Sequence, residues 1–185
     1  MNLCDSVAIS MSLDSQKYYL AKVQNTYISS FPQVERRDFL LFCELLENEP
    51  LFKLFVILRN EQYSGFITCW EFPEFVYVEH FAIDESQRSG GIGSIAMMQF
   101  LELIDKPVVL EVEKVIDDLT ARRVRFYEAL GFTMHPDLYK QPPYRGGDSW
   151  FDMKLMSIGS FDLSSKYESV KDCIYTHVYN VKKLD

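Results

Sequence analysis

Gln87-Arg88-Ser89-Gly90-Gly91-Ile92-Gly93-Ser94 decides how this chain is read, because it stands between a β-rich run ending at Ile83 and a long apolar stretch with helical spacing. Glycines let a backbone approach a ligand closely, and a helix start leaves several N–H groups without partners inside the helix. Such a turn binds anions: the N–H donors of residues 88–94, the positive helix end and the guanidinium of Arg88 suit a phosphate-bearing cofactor. A nucleoside-triphosphate loop needs G-x-x-x-x-G-K-[ST], and no Lys follows these glycines. A dinucleotide fold is the closer rival, since Gly91-Ile92-Gly93-Ser94-Ile95-Ala96 fits G-x-G-x-x-A and Glu111 follows Gly91 by 20 residues. In that fold the glycine turn follows its strand directly, whereas residues 84–88 intervene here, and the preceding strands read as a meander. A dinucleotide-binding oxidoreductase is thereby reduced to a remote alternative.

Upstream of the turn, three β-rich runs at residues 52–58, 63–70 and 75–83 are joined by short breaks at 59–62 and near Pro73, which predicts antiparallel strands. Before them, helical spacing of Val23, Tyr27 and Ile28 marks a helix over 14–28. A second over 34–47 has Phe39, Leu41, Phe42, Leu45 and Leu46 as one stripe and Asn48-Glu49-Pro50 as its stop. Two helices are thus expected before the sheet. Downstream, the apolar helix at 92–104 is expected to bury Ile95, Met98, Leu101 and Ile104, followed by a strand at 108–112. Asp117-Asp118 can cap a helix over 119–130, with Gly131 placed for a left-handed stop. A loop rich in Pro and Gly, 134–147, leads to a last strand at 150–156.

Beyond Gly159, the recurrence of Leu163, Tyr167, Val170, Ile174 and Val178 predicts one more helix, either docked on its own domain or at a dimer interface. The expected organisation is one domain over residues 1–156 and a helical extension over 157–185. The fold class is α/β (α+β), a mixed, mostly antiparallel sheet flanked by helices.

Composition narrows the function classes. The 185 residues are 48% hydrophobic, enough for a packed core, and 27 acidic against 19 basic residues give a net charge of −8, which argues against a broad nucleic-acid surface. Four scattered cysteines and three scattered histidines form no C-x-x-C pair or ligand cluster, so no metal is expected. The N-terminus lacks the basic start and apolar run of a secretory leader, and no apolar stretch approaches the ~18 residues of a membrane span. The protein is read as cytoplasmic, with no nucleic-acid or membrane partner.

Arg88-Ser89-Gly90-Gly91-Ile92-Gly93 resembles the R-x-x-G-x-G signature of the GNAT superfamily of acetyl-CoA-dependent N-acetyltransferases, and Phe126-Tyr127-Glu128-Ala129-Leu130-Gly131-Phe132 resembles the family's F-Y-E-x-x-G-F segment. The order of elements agrees over residues 6–156. Where many members carry Asn and Ala ahead of the second block's tyrosine, this chain has Thr120 and Arg123. Its Arg122, Arg123 and Arg125 form either a solvated helix face or a contact with the phosphates or adenosine end of coenzyme A.

The resemblance implies acetyl-CoA as co-substrate and a primary amine, on a small molecule or exposed peptide, as acceptor. It places the backbone of Phe81, Ala82 and Ile83 along the pantetheine arm, and Arg88, Ser89, Gly90, Gly91, Ile92, Gly93 and Ser94 at the pyrophosphate. It makes Tyr127 the candidate acid for the departing thiolate. An alkyl ammonium of pKa ~10.4 is only about 0.04% neutral at pH 7, so a base is needed. The carboxylates on the two splayed central strands, Glu79 and Glu111, are the candidates, and Leu110-Glu111-Val112 resembles a family segment whose glutamate is the base. Strand alternation puts Glu79 on one face with Tyr77 and Phe81. On the acceptor side, the segments 70–74 and 139–144 offer carboxylates and aromatic faces to an ammonium group. A homodimer fits the extension helix, and an acyl-CoA-binding sensor without amine turnover is the alternative from another class.

Overall fold

The computed structural model describes residues 7–11, 13–88, 90–160 and 162–181. Its centre is the expected meander: β2 (Phe52–Arg59), β3 (Gln62–Glu71) and β4 (Val76–Ile83), each antiparallel to the next. The β2–β3 hairpin is closed by Asn60 and Glu61, with φ of 50° and 64°, the left-handed pair that matches the twist of two-residue hairpins. β1 (Val7–Ser10) lies antiparallel to β2 at the sheet edge, so a strand, not a helix, opens the described chain. Four residues are too few for alternation to reveal it.

β5 (Val108–Glu113) runs parallel to β4 after the crossover through α3 (Ile92–Leu103), and β8 (Phe151–Ile158) returns antiparallel to β5. Two further strands, β6 (Thr133–Met134) and β7 (Tyr139–Gln141), pair with β8 where the sequence suggested a loop. The order is β1-β2-β3-β4-β5-β8-β6, with β7 also on β8. This is the mixed, mostly antiparallel sheet expected, and its antiparallel meander removes the dinucleotide reading.

Two apolar layers hold helices against the sheet. On one face, α1 (Leu13–Ser30), α2 (Phe39–Asn48) and α5 (Leu163–His177) pack Val23, Tyr27, Phe42, Val170 and Ile174 over Leu54, Phe66, Trp70 and Tyr77. On the other, α3 and α4 (Asp118–Ala129) cover Ile67, Cys69, Val78 and Leu110. α3 buries Ile92, Ala96, Met97 and Phe100, a stripe about one residue from the expected set of Ile95, Met98, Leu101 and Ile104. Apolar residues around most of this helix left two stripes to choose from. α4 starts as predicted, with Asp117 and Thr120 forming a capping box and Gly131 left-handed at φ 94°. The extension helix α5 buries Leu163, Tyr167, Val170 and Ile174 against this same chain.

The helix expected over 34–47 is broken. A 3-10 turn, Gln33–Glu35, gives way to extended backbone at Arg36, and α2 begins only after Asp38. The break carries Arg37 into the interior, where it is 8% exposed.

Two features of the central strands shape a site. β4 and β5 pair only through Val76↔Val108, Tyr77↔Val109 and Val78↔Leu110, and beyond that point they splay. Just there, the β3–β4 register shifts: Thr68 faces His80 while Cys69 faces Val78. Glu79 is the extra residue of a bulge. It points to the α1–α5 side with Tyr77, and Phe81 points to the opposite side against Phe126. The bulge thus overturns the face shared by Glu79 and Phe81 that strict alternation implied.

Candidate active site

The signature turn has the conformation that an anion site requires. Gly90 and Gly91 are left-handed, at φ 67° and 72°, and Gly91 is the N-cap residue of α3. A Cβ at Gly91 would meet nothing within 4 Å, whereas one at Gly93 would lie 3.6 Å from Phe81 and 3.7 Å from Phe126. Open space therefore lies before the helix start and close packing behind it. Arg88 folds back, its Nε donating to the Ile83 carbonyl at 3.0 Å and Nη2 to Ser30 Oγ at 3.3 Å, which ties the turn to the ends of β4 and α1. Ile92 turns its side chain into the core, leaving only its backbone for a ligand. Ser89 lies outside the described residues.

Between the splayed strands opens a cavity of about 820 Å³, walled by Glu79, Phe81, Ala82, Ile83, Arg88, Glu111 and Tyr127 among others. Every described residue expected along the pantetheine arm or in catalysis is thus brought to one space. Past Val78, the side of β4 that faces β5 has no strand to bond, and apart from the Ile83 carbonyl, which accepts from Arg88, its backbone N–H and C=O groups are available to an extended ligand.

The two carboxylates occupy unlike environments. Glu79 is 2.7 Å from the buried Arg37 guanidinium and accepts from Trp70 Nε1 and the Tyr144 hydroxyl, each at 2.8 Å. Its charge is compensated. Among the described residues Glu111 has no ion-pair partner; it accepts from the Tyr139 hydroxyl on Oε1 and from the Tyr179 hydroxyl on Oε2, the latter at 2.9 Å. Burial lifts the Glu111 carboxyl from 4.5 to about 7, against the pull of hydrogen bonds from Tyr139, Tyr179 and Tyr77 and with a smaller push from Glu79. At neutral pH it is poised between its acid and base forms.

Tyr127 lies on α4 against Phe126 and Phe132, at ring separations of 5.0 and 5.5 Å. Burial raises its phenol to about 12, with Arg123 opposing. Of the arginines on this helix, Arg123 pairs with Glu113, and Arg122 and Arg125 are exposed. His80 is kept neutral by burial among Tyr27, Phe31 and Tyr144.

Sequence reasoning missed Arg37 and Tyr179 as members of this constellation, and it offered Tyr139 as an acceptor-side aromatic where the structure has it donate to Glu111. The segment 70–74 is not at the cavity: Trp70 and Phe72 are buried in the core, and Glu71 and Glu74 pair with Lys106 and Lys166. From 139–144, Gln141 and Tyr144 do line it. Cys69 is buried in the α3–α4 layer with its thiol pushed up by burial, which makes it a poor nucleophile; Cys4 lies outside the described residues. Among the described residues no group of three or more His, Cys, Asp or Glu is placed to hold a metal ion, and no helix is long and apolar enough to cross a membrane.

The profile of the acetyltransferase (GNAT) family matches residues 19–132. A GNAT-family protein from Bacteroides thetaiotaomicron, described as a candidate acetyltransferase, superposes with a TM-score of 0.90 at 34% identity, over 95% of this chain and 99% of its own. Arabidopsis thaliana Naa50, solved with the bisubstrate analogue CoA-Ac-MVNAL, gives 0.59 at 18% identity over 83% of this chain and 99% of its own. YncA from Salmonella typhimurium, solved with its cofactor acetyl-CoA, gives 0.59 at 15% over 84% and 95%. The last two share the fold. No curated protein matches the chain.

Proposed function

The chain belongs to the GNAT family of acetyltransferases, and from that premise we propose that it moves the acetyl group of acetyl-CoA directly to a primary amine bound beside it, with Glu111 as base. The observation that carries this reading is the wedge between β4 and β5: a cavity lined by a half-buried carboxylate held by tyrosine hydroxyls, with no ion-pair partner among the described residues, and a glycine helix start next to its rim.

In this reading the backbone of Phe81, Ala82 and Ile83 holds the pantetheine arm, and residues 88–94 hold the pyrophosphate. Acetyl-CoA supplies the activated thioester. Glu111 takes a proton from the ammonium; attack by the neutral amine forms the C–N bond and breaks the C–S bond, and the remaining proton lost from nitrogen balances the one gained by the thiol. A carboxylate of ordinary pKa 4.5 would take that proton about 8 kcal/mol uphill, whereas one near 7 needs about 5 kcal/mol. Glu79, already neutralised by Arg37, supports the bulge and the wall.

Tyr127 acts as a hydrogen-bond donor to the departing sulfur. A phenol near 12 is too weak an acid to protonate outright a thiolate of pKa ~8.5, but it stabilises charge developing on sulfur. The acceptor is a cationic amine: Arg88 stands at the cofactor end, the lining cations Lys114 and Arg123 pair with Asp152 and Glu113, and Glu35 and Glu111 add carboxylates to the wall beside Phe31 and Tyr144.

The test is release of free thiol from acetyl-CoA against a panel of polyamines, amino sugars, amino acids and lysine peptides, at low and high salt. Turnover with a cationic amine, its apparent affinity falling as salt rises, is expected. Preference for an uncharged or anionic acceptor would overturn the acceptor class. Tight binding of acetyl-CoA without turnover of any amine would favour the sensor.

A further inference from the structure

We propose that Tyr179, on the segment that follows α5, is a positioning residue of the catalytic site, so that the C-terminal extension completes the acetyl-transfer centre. The inference rests on Glu111 as base.

Two hydrogen bonds at Tyr179 run in a defined direction. Gln141 Nε2 donates to the Tyr179 oxygen at 2.7 Å. An amide N–H cannot accept, so the single phenolic proton of Tyr179 is left for Glu111 Oε2, 2.9 Å away. The Tyr77 hydroxyl stands 3.3 Å from the Tyr179 oxygen. Tyr139 holds Oε1 from β7. The carboxylate plane is thereby gripped from both oxygens, with one grip supplied by a residue 68 positions away in the chain.

The segment is built to hold this pose. α5 ends at His177 with Val178 as its C-cap, Asn180 takes a left-handed φ of 54°, and Val181 N–H bonds back to the Tyr175 carbonyl at 2.8 Å. Arg37 Nη2 donates to the Val178 carbonyl at 2.8 Å while also pairing with Glu79. One guanidinium therefore fastens the C-terminal turn and neutralises the second carboxylate. Tyr179 is 8% exposed, and its ring lies 5.0 Å from that of Tyr144. The groups facing Glu111 are Tyr77 and Glu79 on β4, Tyr139 on β7, Tyr175 on α5 and Tyr179 after it. Among them Tyr179 alone comes from beyond the last helix.

The test follows the Glu111 carboxyl directly, without need of an acceptor. Full-length protein labelled with ¹³C at glutamate side-chain carboxyls is titrated by NMR, and the Glu111 resonance is assigned by its loss in Glu111→Gln. Tyr179→Phe keeps the ring and removes one charge-assisted hydrogen bond. The Glu111 midpoint should move up by roughly one pH unit, and the acidic limb of the rate profile, once an amine is in hand, should move with it while KM for acetyl-CoA stays put. An unmoved midpoint in folded Tyr179→Phe overturns the proposal. If instead Glu111→Gln leaves turnover and its pH profile intact, the base assignment itself falls, whatever Tyr179→Phe does to the NMR midpoint.

Discussion

Arg37 and Glu79 form a buried ion pair, 2.7 Å apart with side chains 9% and 1% exposed, and this pair is what makes the two carboxylates that line the cavity chemically different. Removing one partner leaves the other buried and unpaired, at a cost of about 3–5 kcal/mol. Glu79→Gln and Arg37→Met should each lower Tm by roughly 10 °C for a chain of this size. The double variant should lose less than the sum, and calorimetry of all four proteins reads that coupling.

With Glu111 as the proposed base, its titration should set the pH profile. Its base form is the carboxylate, and burial places its midpoint near 7, so kcat/KM should rise with pH through about 7 and then level off. Were the amine required to arrive neutral, the rate would instead climb with unit slope toward the amine's own pKa, ~10.4. Glu111→Gln should reduce turnover by about 10²- to 10³-fold and erase the inflection. Folded Glu79→Gln should keep the inflection.

At the helix start, substitution separates charge from conformation. Gly91 has φ 72° and open space where a Cβ would sit, so Gly91→Ala carries only the left-handed penalty of ~1–2 kcal/mol and should still bind acetyl-CoA. Gly91→Glu adds a carboxylate to an anion site and should weaken binding at least ~10-fold. Titration calorimetry with coenzyme A compares the two directly, and equal affinities would remove residues 88–94 from the pyrophosphate.

Much of this architecture is written in local signals. The hairpin at Asn60-Glu61, the Asp117 cap, the Gly131 stop and the glycine turn each depend on a few adjacent residues, and the meander follows from short breaks between β-rich runs. What escaped is non-local. The bulge that turns Glu79 away from Phe81 is a property of the β3–β4 register, which alternation along one strand cannot reveal. Arg37 reads as one more polar residue in a helix until the chain breaks before Asp38. Asp38 ahead of an apolar run was a start signal present in the sequence. Tyr139 and Tyr179 have no spacing relation to Glu111, and only the packing of β7 and the C-terminal turn on the sheet brings them to it.

The phenol of Tyr127 has its own kinetic signature. Its pKa near 12 means that no descending limb should appear in kcat/KM between about pH 8 and 10, as a general acid titrating there would produce. Tyr127→Phe should lower kcat by up to ~10²-fold, with little change in KM for acetyl-CoA, because the donor acts on charge that develops only as the C–S bond breaks. Steady-state kinetics across pH measures both effects, and a KM that rises in proportion to the loss in kcat/KM would make Tyr127 a binding residue.

Glu111 also leaves a mark on stability. Its folded value, about 7, lies above the ordinary 4.5 because burial penalises the anion. The folded state therefore holds this proton more tightly than the unfolded chain, and its contribution is fully present below pH 4.5 and lost as pH rises through 7. Integrated over that interval, the ionised carboxylate costs up to about 3 kcal/mol at pH 8. Glutamine does not titrate, so any packing change it introduces is independent of pH. The stability of Glu111→Gln relative to the parent protein should accordingly rise between about pH 4.5 and 7 and stay level above it. Denaturant unfolding at half-unit steps from pH 4.5 to 8.5 measures the difference. A flat difference across the range would mean that Glu111 titrates alike in the folded and unfolded chain, and its surroundings would then not prepare it to act as a base at neutral pH.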